Sequence, residues 1–303
     1  MRKRVLLFFL FLCLLTACSC GGGRSSNPDE PPVFSPLQVL TPKAQGLKTI
    51  EQGALLLDFS NEAQGYFIMS NQSPSRQMSL QLTAPDGIVY KYFIDPEEDA
   101  VVPFSGGSGD YILICYQQVE DDWFAAVYTS TLQISLENEF LPFLYPNQYV
   151  AFTEDSDACK LALSIMPEDT EDTQALEEIY NYVIENITYD YDKASSVEAG
   201  YLPDIDETLS TGTGICFDYA ALITAMLRSR DIPCRLQIGY AGDIKHAWVD
   251  VYIRSKGWIN NAIEFDGDSC TRMDPTFDSS LGDKELARDF IGDGTNYAVQ
   301  FTR

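Results

Sequence analysis

The residues Gly214-Ile215-Cys216-Phe217-Asp218-Tyr219-Ala220 carry the strongest structural signal in this chain of 303 residues. A glycine lets the backbone turn sharply, and the apolar residues that follow recur at helical spacing. We therefore predict a short apolar helix that begins at or near Cys216. Amide groups at the start of a helix stabilise a thiolate and can receive an oxyanion, so Cys216 is a candidate nucleophile. A buried structural cysteine beside a turn is the alternative for this segment alone.

The chain contains one histidine, His246, at the start of an apolar run over residues 246–253. Histidine is the side chain whose unperturbed pKa lies nearest neutrality, so His246 is the candidate base. We predict strands over 235–240 and 246–253, joined by a turn at Gly242. Strand alternation places His246, Trp248, Asp250 and Tyr252 on one face and Ala247, Val249, Val251 and Ile253 on the other.

An acidic residue in an extended setting follows in Met273-Asp274-Pro275. The proline biases Asp274 toward an extended backbone, which fixes how its carboxylate projects. The order Cys216, His246, Asp274 indicates a thiol nucleophile, its base and the acid that orients the base. Asp250 is an alternative orienting acid, because it lies four residues from His246 on the same strand face.

The chain changes character near residue 165. Before it, short β-rich runs at 65–69, 78–82, 89–93, 111–116, 123–128 and 131–136 alternate with turn signals such as Pro85-Asp86-Gly87. We predict a β-sandwich-like domain over 47–164 and a second domain over 165–303. The second domain begins with a helix, because apolar residues recur at helical spacing from Leu176 to Ile187, after acidic residues that favour a helix start.

The N-terminus has the pattern of an export signal. Three basic residues, Arg2, Lys3 and Arg4, precede an apolar stretch over 5–15 that is too short to span a bilayer. The sequence Leu15-Thr16-Ala17-Cys18 then resembles the lipobox of bacterial lipoproteins, which implies a signal peptide over 1–17 and lipid on Cys18. An ordinary secretory signal is the alternative. Residues 18–46 are expected to form a flexible tether.

Charge and composition exclude several classes of partner. The chain has 45 acidic and 20 basic residues, a net charge of −25, so nucleic acid is not an expected partner and a macromolecular substrate should be neutral or basic. One histidine and no paired cysteines after the signal give no expectation of a metal or another cofactor. Disulfides are open, with Cys234–Cys270 and Cys115–Cys159 as the candidate pairs.

Taken together, residues from about 176 to 279 resemble a bacterial transglutaminase-like domain, a branch of the papain-related Cys-His-Asp enzymes. The likeness runs from Ile187-Thr188-Tyr189-Asp190-Tyr191 through the Cys216 and His246 segments to Met273-Asp274-Pro275-Thr276. It implies an α+β fold in which the helix carrying Cys216 packs on an antiparallel sheet whose neighbouring strands carry His246 and Asp274. Phe217 departs from animal transglutaminases, which have tryptophan there, so no second oxyanion donor is assigned. Calcium dependence is unsupported.

The resemblance implies a surface-anchored thiol enzyme that attacks amide bonds of peptides or proteins, cell-wall peptides among them. The acyl-enzyme can pass to water, as in a peptidase or amidase, or to an amine, as in a cross-linking transglutaminase, and the sequence leaves this choice open. The expected location is outside the cytoplasm, on the membrane through the lipid of Cys18. The alternative function is a binding or scaffolding lipoprotein with an idle transglutaminase-like fold.

Overall fold

The computed structural model describes residues 28–34, 38–167, 170–260, 264–265, 270–271 and 297–303. The predicted signal peptide, Cys18 and Asp274 lie outside the described residues. None of the helices in this described part of the chain is long and apolar enough to cross a membrane.

The first half forms eight strands in two antiparallel sheets. Their bounds are β1 Thr49–Gln52, β2 Leu55–Asp58, β3 Tyr66–Asn71, β4 Met78–Thr83, β5 Val89–Ile94, β6 Asp99–Pro103, β7 Gly109–Glu120 and β8 Trp123–Ile134. One sheet has the order β1-β2-β3-β6 and the other β5-β4-β7-β8. Side chains from both sheets, such as Phe67 and Leu80, meet in one buried apolar core. The predicted β-sandwich is therefore confirmed.

Two details of this half differ from the prediction. Strands were expected separately at 123–128 and 131–136, but Trp123–Ile134 is one strand that pairs with β7 along its length. The small polar residues Thr129 and Ser130 suggested a break, yet they pair with Ile114 and Leu113 without interrupting the strand. Strands β1, β2 and β6 are too short to stand out from their sequences.

The second half contains the helices and a third antiparallel sheet. The helices are α1 Asp157–Ile165, α2 Asp172–Asn186, α3 Tyr191–Ser196, α4 Ile205–Thr211 and α5 Cys216–Arg228, and the strands are β9 Thr188–Tyr189, β10 Thr213–Gly214, β11 Cys234–Ala241, β12 Ile244–Ile253, β13 Gly257–Ile259, β14 Glu264–Phe265, β15 Cys270–Thr271 and β16 Tyr297–Thr302. The sheet order is β13-β12-β11-β16. Helix α5 packs on β11 and β12 and is surrounded by α1, α2 and α4. The predicted α+β class, with helices on an antiparallel sheet, is confirmed.

The apolar core around α5 explains which face of the sheet the helix covers. Ala247, Val249, Val251 and Ile253 of β12 are buried in the same core as the α5 side chains, as strand alternation predicted. This core also reaches back along the chain to Val150 and to α1.

Part of the segment expected as a tether packs on the fold. Phe34 and Leu40 are buried against Tyr66 and Leu144, and the amide of Phe34 donates a hydrogen bond to the carboxylate of Asp231 at 3.3 Å. These apolar residues give the segment a surface to bury, which a Gly/Ser-rich linker lacks.

Candidate active site

Cys216 is the first residue of α5 and is half-buried. The strand before it, β10, pairs in parallel with β9, so the chain enters the helix from a fixed direction. The predicted helix start at Cys216 is confirmed. The sharp glycine turn lies at Gly212, the left-handed residue that ends α4, whereas Gly214 makes room for Asp218, whose Cβ would lie 2.8 Å from a Cβ at this position.

The first turn of α5 offers backbone donors beside the thiol. The first hydrogen bond of the helix runs from the amide of Tyr219 to the carbonyl of Ile215 at 3.1 Å. The amides of Cys216, Phe217 and Asp218 therefore have no carbonyl acceptor within the helix. Such amides point along the helix axis and favour negative charge at its start.

Asp218 joins this turn to the segment before it. Its carboxylate is fully buried and accepts a hydrogen bond from the Ile215 amide at 2.8 Å. It also accepts one from the Tyr201 hydroxyl at 2.5 Å and forms an ion pair with the Lys193 ammonium at 2.8 Å. Burial, followed by the hydrogen bond to Asp218, raises the pKa of Tyr201 to about 12, so the phenol stays protonated. The sequence analysis did not single out Asp218, although an acidic residue in the first turn is a signal for a helix start.

His246 lies near the beginning of β12, opposite Gly239 of β11 in the antiparallel register. Its side chain is 4% exposed and stacks beside Trp248, with ring centroids 6.2 Å apart and an interplanar angle of 21°. Tyr297 of β16 lies 6.2 Å from the His246 ring and 5.1 Å from that of Trp248. The imidazole therefore packs in an aromatic group on the face of β12 opposite the face that α5 covers.

Asp250, the alternative orienting acid, is engaged elsewhere. Its Oδ2 accepts a hydrogen bond from Gln237 Nε2 at 2.6 Å, and Gln237 in turn accepts one from Thr302 at 2.7 Å. Residues four apart in a strand are separated by about 13 Å along its axis. Trp248 also lies between His246 and Asp250 on the same face. Both observations argue against direct orientation of the imidazole by Asp250.

The far end of the same sheet face is closed by aromatic rings. The guanidinium of Arg235 lies 3.6 Å from the ring centre of Trp258 and 4.6 Å from that of Phe143. Phe140 packs against Tyr252 with centroids 4.5 Å apart.

Three other cysteines, Cys115, Cys159 and Cys234, are buried and unpaired. Cys115, Cys159 and Cys234 are free thiols, so the Cys115–Cys159 bridge is not formed and Cys234 forms no bridge. Burial raises the pKa of these thiols to about 12, about 11 and about 12, respectively. A thiol with a raised pKa is a poor nucleophile, so Cys216 is distinguished from them by its partial exposure and its place at a helix start.

The structure thus places two of the three predicted triad residues on packed elements. Cys216 begins α5, which contacts β12, and His246 lies near the start of β12. The third residue, Asp274, is outside the described residues, as is the predicted lipid site Cys18.

Residues 160–261 match the family model of the transglutaminase-like superfamily. The matched segment contains Cys216 and His246 and ends before Asp274. A transglutaminase-like domain, as the sequence analysis suggested, is therefore supported for this part of the chain.

Three individual proteins illustrate the likeness. A UPF0252 protein of Methanocaldococcus jannaschii is 39% identical over 62 residues, which cover 19% of this chain and 18% of that protein, so the chain spans less than a fifth of that relative. The periplasmic domain of TgpA from Pseudomonas aeruginosa, bound to ethylmercury, is 16% identical, with 82% of this chain and 80% of that chain covered and a TM-score of 0.36. Red sea bream transglutaminase is 14% identical, with 68% and 49% covered and a TM-score of 0.27. Neither TM-score is high enough to carry an argument about this chain.

Proposed function

We propose that this chain is a thiol enzyme that attacks amide bonds of peptides or proteins, with Cys216 as nucleophile, His246 as base and Asp274 as the acid that orients His246. The observation that carries the proposal is the half-buried Cys216 at the start of α5, on a helix packed against the strand of the single histidine. The thiols of Cys115, Cys159 and Cys234 are buried, with raised pKa values.

The chemistry proceeds through an acyl-enzyme. The imidazole of His246 takes the thiol proton, and the thiolate attacks the amide carbonyl carbon, so that a C–S bond forms and the carbonyl π pair moves to oxygen. The amides of the first turn of α5, which precede the first hydrogen bond within the helix, would receive that oxyanion. The intermediate then collapses, the C–N bond breaks, and His246 returns the proton to the leaving amine. Water or a second amine attacks the thioester, which gives hydrolysis or an isopeptide bond and regenerates the thiol.

The first experiment is alkylation of the thiols by iodoacetamide between pH 4 and pH 9, with labelled sites mapped by mass spectrometry. The protein used is the chain from residue 18 with Cys18→Ser and Cys20→Ser. We expect fast labelling of Cys216 near pH 6, because a thiolate paired with an imidazolium persists below the ordinary thiol pKa. His246→Ala should remove labelling at that pH, whereas Cys159→Ala, a change at a buried thiol, should leave it unaltered.

Activity is then measured on casein, both as the appearance of new amino termini and as the incorporation of a fluorescent primary amine. The first readout reports hydrolysis and the second reports cross-linking. Cys216→Ala should abolish whichever activity is found without unfolding the protein, and Asp274→Ala should weaken it less than His246→Ala. Full turnover by Cys216→Ala would refute the thiol mechanism. An ordinary thiol profile for wild-type Cys216 would favour the binding lipoprotein instead.

We also propose that the chain is exported and held on a bacterial membrane by lipid on Cys18. The support is the basic and apolar N-terminus that ends in Leu15-Thr16-Ala17-Cys18. Expression in a bacterial host with radiolabelled palmitate should label the wild-type chain but not Cys18→Ser. Labelling of both forms, or of neither, would contradict the anchor.

A further inference from the structure

Three groups from separate parts of the chain converge on one carboxylate beside Cys216. Asp218 receives the backbone amide of Ile215, the hydroxyl of Tyr201 and the ammonium of Lys193, and its side chain has no exposed surface. Lys193 belongs to α3 and Tyr201 to the segment between α3 and α4. The Lys193 ammonium also lies 4.6 Å from the ring centre of Tyr201, so the three side chains form one contact group.

The hydrogen bond from Ile215 to Asp218 spans Cys216. One partner precedes the cysteine and the other follows it by two residues, so the bond closes a small loop around its backbone. Ile215 has an apolar side chain and cannot cap the helix itself, and the helix start therefore depends on Asp218. The missing Cβ of Gly214 lets the carboxylate approach, since a Cβ there would lie 3.2 Å from Asp218 Oδ2.

Asp218 brings a negative charge into the helical turn that begins at Cys216. Two negative charges repel, so a positive group beside Asp218 favours a thiolate in this turn. Lys193 supplies the opposite charge at 2.8 Å. Burial lowers the pKa of Lys193, but its hydrogen bonds and charge interactions with Asp218 and Tyr201 raise it by more, so the ammonium stays charged at neutral pH.

Other carboxylates near this turn are committed to the neighbouring helices. Asp190 accepts the amide of Lys193 at 2.8 Å at the start of α3, and Asp204 accepts the amides of Asp206 and Glu207 at 3.0 Å at the start of α4. Asp218, Lys193 and Tyr201 are linked to the first turn of α5 by hydrogen bonds and an ion pair.

We propose that Asp218 is a positioning residue for Cys216, and that Lys193 and Tyr201 hold its carboxylate in place while Lys193 neutralises it. The proposal rests on Cys216 being the nucleophile. The proposal extends the site to the segment that carries Lys193 of α3 and Tyr201. In this proposal these residues act through Asp218 and take no part in the reaction itself.

The test measures the apparent pKa of Cys216 from iodoacetamide rates against pH. Lys193→Met removes the positive charge beside Asp218, whose carboxylate keeps its hydrogen bonds from Tyr201 and Ile215, so the apparent pKa of Cys216 should rise and the rate at pH 6 should fall by about tenfold, the effect of one pKa unit. Lys193→Arg should behave as wild type. Lys193→Met combined with Asp218→Asn should recover much of the lost rate, because the repelling charge is gone. Lys160→Met, at an exposed lysine of α1, is the matched control.

A second measurement reads the turn without relying on thiol chemistry. Amide hydrogen exchange followed by NMR should show faster exchange of the Ile215 amide in Asp218→Ala, with Asp192→Asn, at an exposed residue of α3, as the control. If the double variant labels no faster than Lys193→Met, or if the Ile215 amide is equally protected in Asp218→Ala, the positioning role is wrong. A third outcome separates the two proposals. If wild-type Cys216 is alkylated slowly at pH 6, but the Ile215 amide exchanges faster in Asp218→Ala, the proposed function is wrong while Asp218 still stabilises the turn.

Discussion

Replacing Arg228 by methionine should lower the free energy of unfolding by about 3 kcal/mol. Arg228 is the last residue of α5 and is 1% exposed. Its guanidinium donates to the carbonyl of Cys234 through Nε at 3.0 Å and Nη2 at 2.8 Å, to that of Tyr145 through Nη1 at 2.7 Å, and to that of Arg303 through Nη2 at 2.8 Å. Methionine keeps much of the stem but donates none of these bonds.

The magnitude follows from the carbonyls of Tyr145 and Cys234, which lose their donor, whereas the Arg303 carbonyl keeps the Leu236 amide at 2.9 Å. A buried acceptor without a partner costs about 1.5 kcal/mol, in the lower half of the usual range, which gives about 3 kcal/mol for two. One contribution acts in the opposite direction: the guanidinium is itself costly to bury, and burial lowers its pKa to about 10. Removing that charge offsets part of the loss, so a decrease above about 5 kcal/mol is not expected.

The assay is urea unfolding at pH 7, followed by tryptophan fluorescence and by far-ultraviolet circular dichroism. Arg76→Met, at an exposed arginine between β3 and β4, is the control and should change the free energy by less than about 0.5 kcal/mol. A decrease below about 1 kcal/mol for Arg228→Met would refute the reasoning, because it would mean that the carbonyls of Tyr145 and Cys234 find other donors.

Two further variants test the sheet and a buried acid. Gly239→Ala should lower the melting temperature, because its Cβ would overlap the carbonyl oxygen of Ala298 on the neighbouring strand. The control is Gly242→Ala, which has open space around its Cβ but a positive φ. It should lower the free energy of unfolding by only about 1 kcal/mol. Burial raises the pKa of Asp231 to about 7. Between about pH 4 and pH 7 the folded state therefore retains a proton that the unfolded state has lost, so the free energy of unfolding should fall as the pH rises through this range. Asp231→Asn, which keeps an acceptor for the amide of Phe34, should weaken this fall in urea titrations at pH 5 and pH 8, and an unchanged fall would contradict it.

Local patterns predicted the elements that position the candidate site. The glycine turn and helical spacing located the start of α5, and strict alternation divided the residues of β12 into two faces, one of which packs against that helix. Both signals are short-range, because helix spacing and strand alternation are set by backbone geometry within a few residues. For the same reason, β1, β2 and β6 escaped prediction: four or five residues do not contain enough periods to stand out.

Contacts between distant parts of the chain were beyond the sequence patterns. The partners of Asp218 come from a mostly exposed segment without a clear period, and the three acceptors of Arg228 lie on a loop and at the ends of two strands. The pairing of β16 with β11 likewise depends on tertiary packing that its short sequence does not encode alone. In a chain with many charged residues, each polar side chain has several possible hydrogen-bond partners nearby in sequence. The partner it takes is therefore decided by the tertiary fold.

Helix α5 has a buried charge at each end, and the signs follow its dipole. Asp218 lies in the first turn, where negative charge is favoured, and Arg228 ends the last turn, where positive charge is favoured. Each is fully or almost fully buried, so each also has a desolvation cost that an apolar side chain would avoid. What both residues provide is defined contacts: Asp218 bonds the backbone before Cys216, and Arg228 bonds the loop and strand ends around the far end of the helix. These directional bonds tie each end of α5 to chain outside the helix, which fixes its position along the axis in addition to the apolar packing across it.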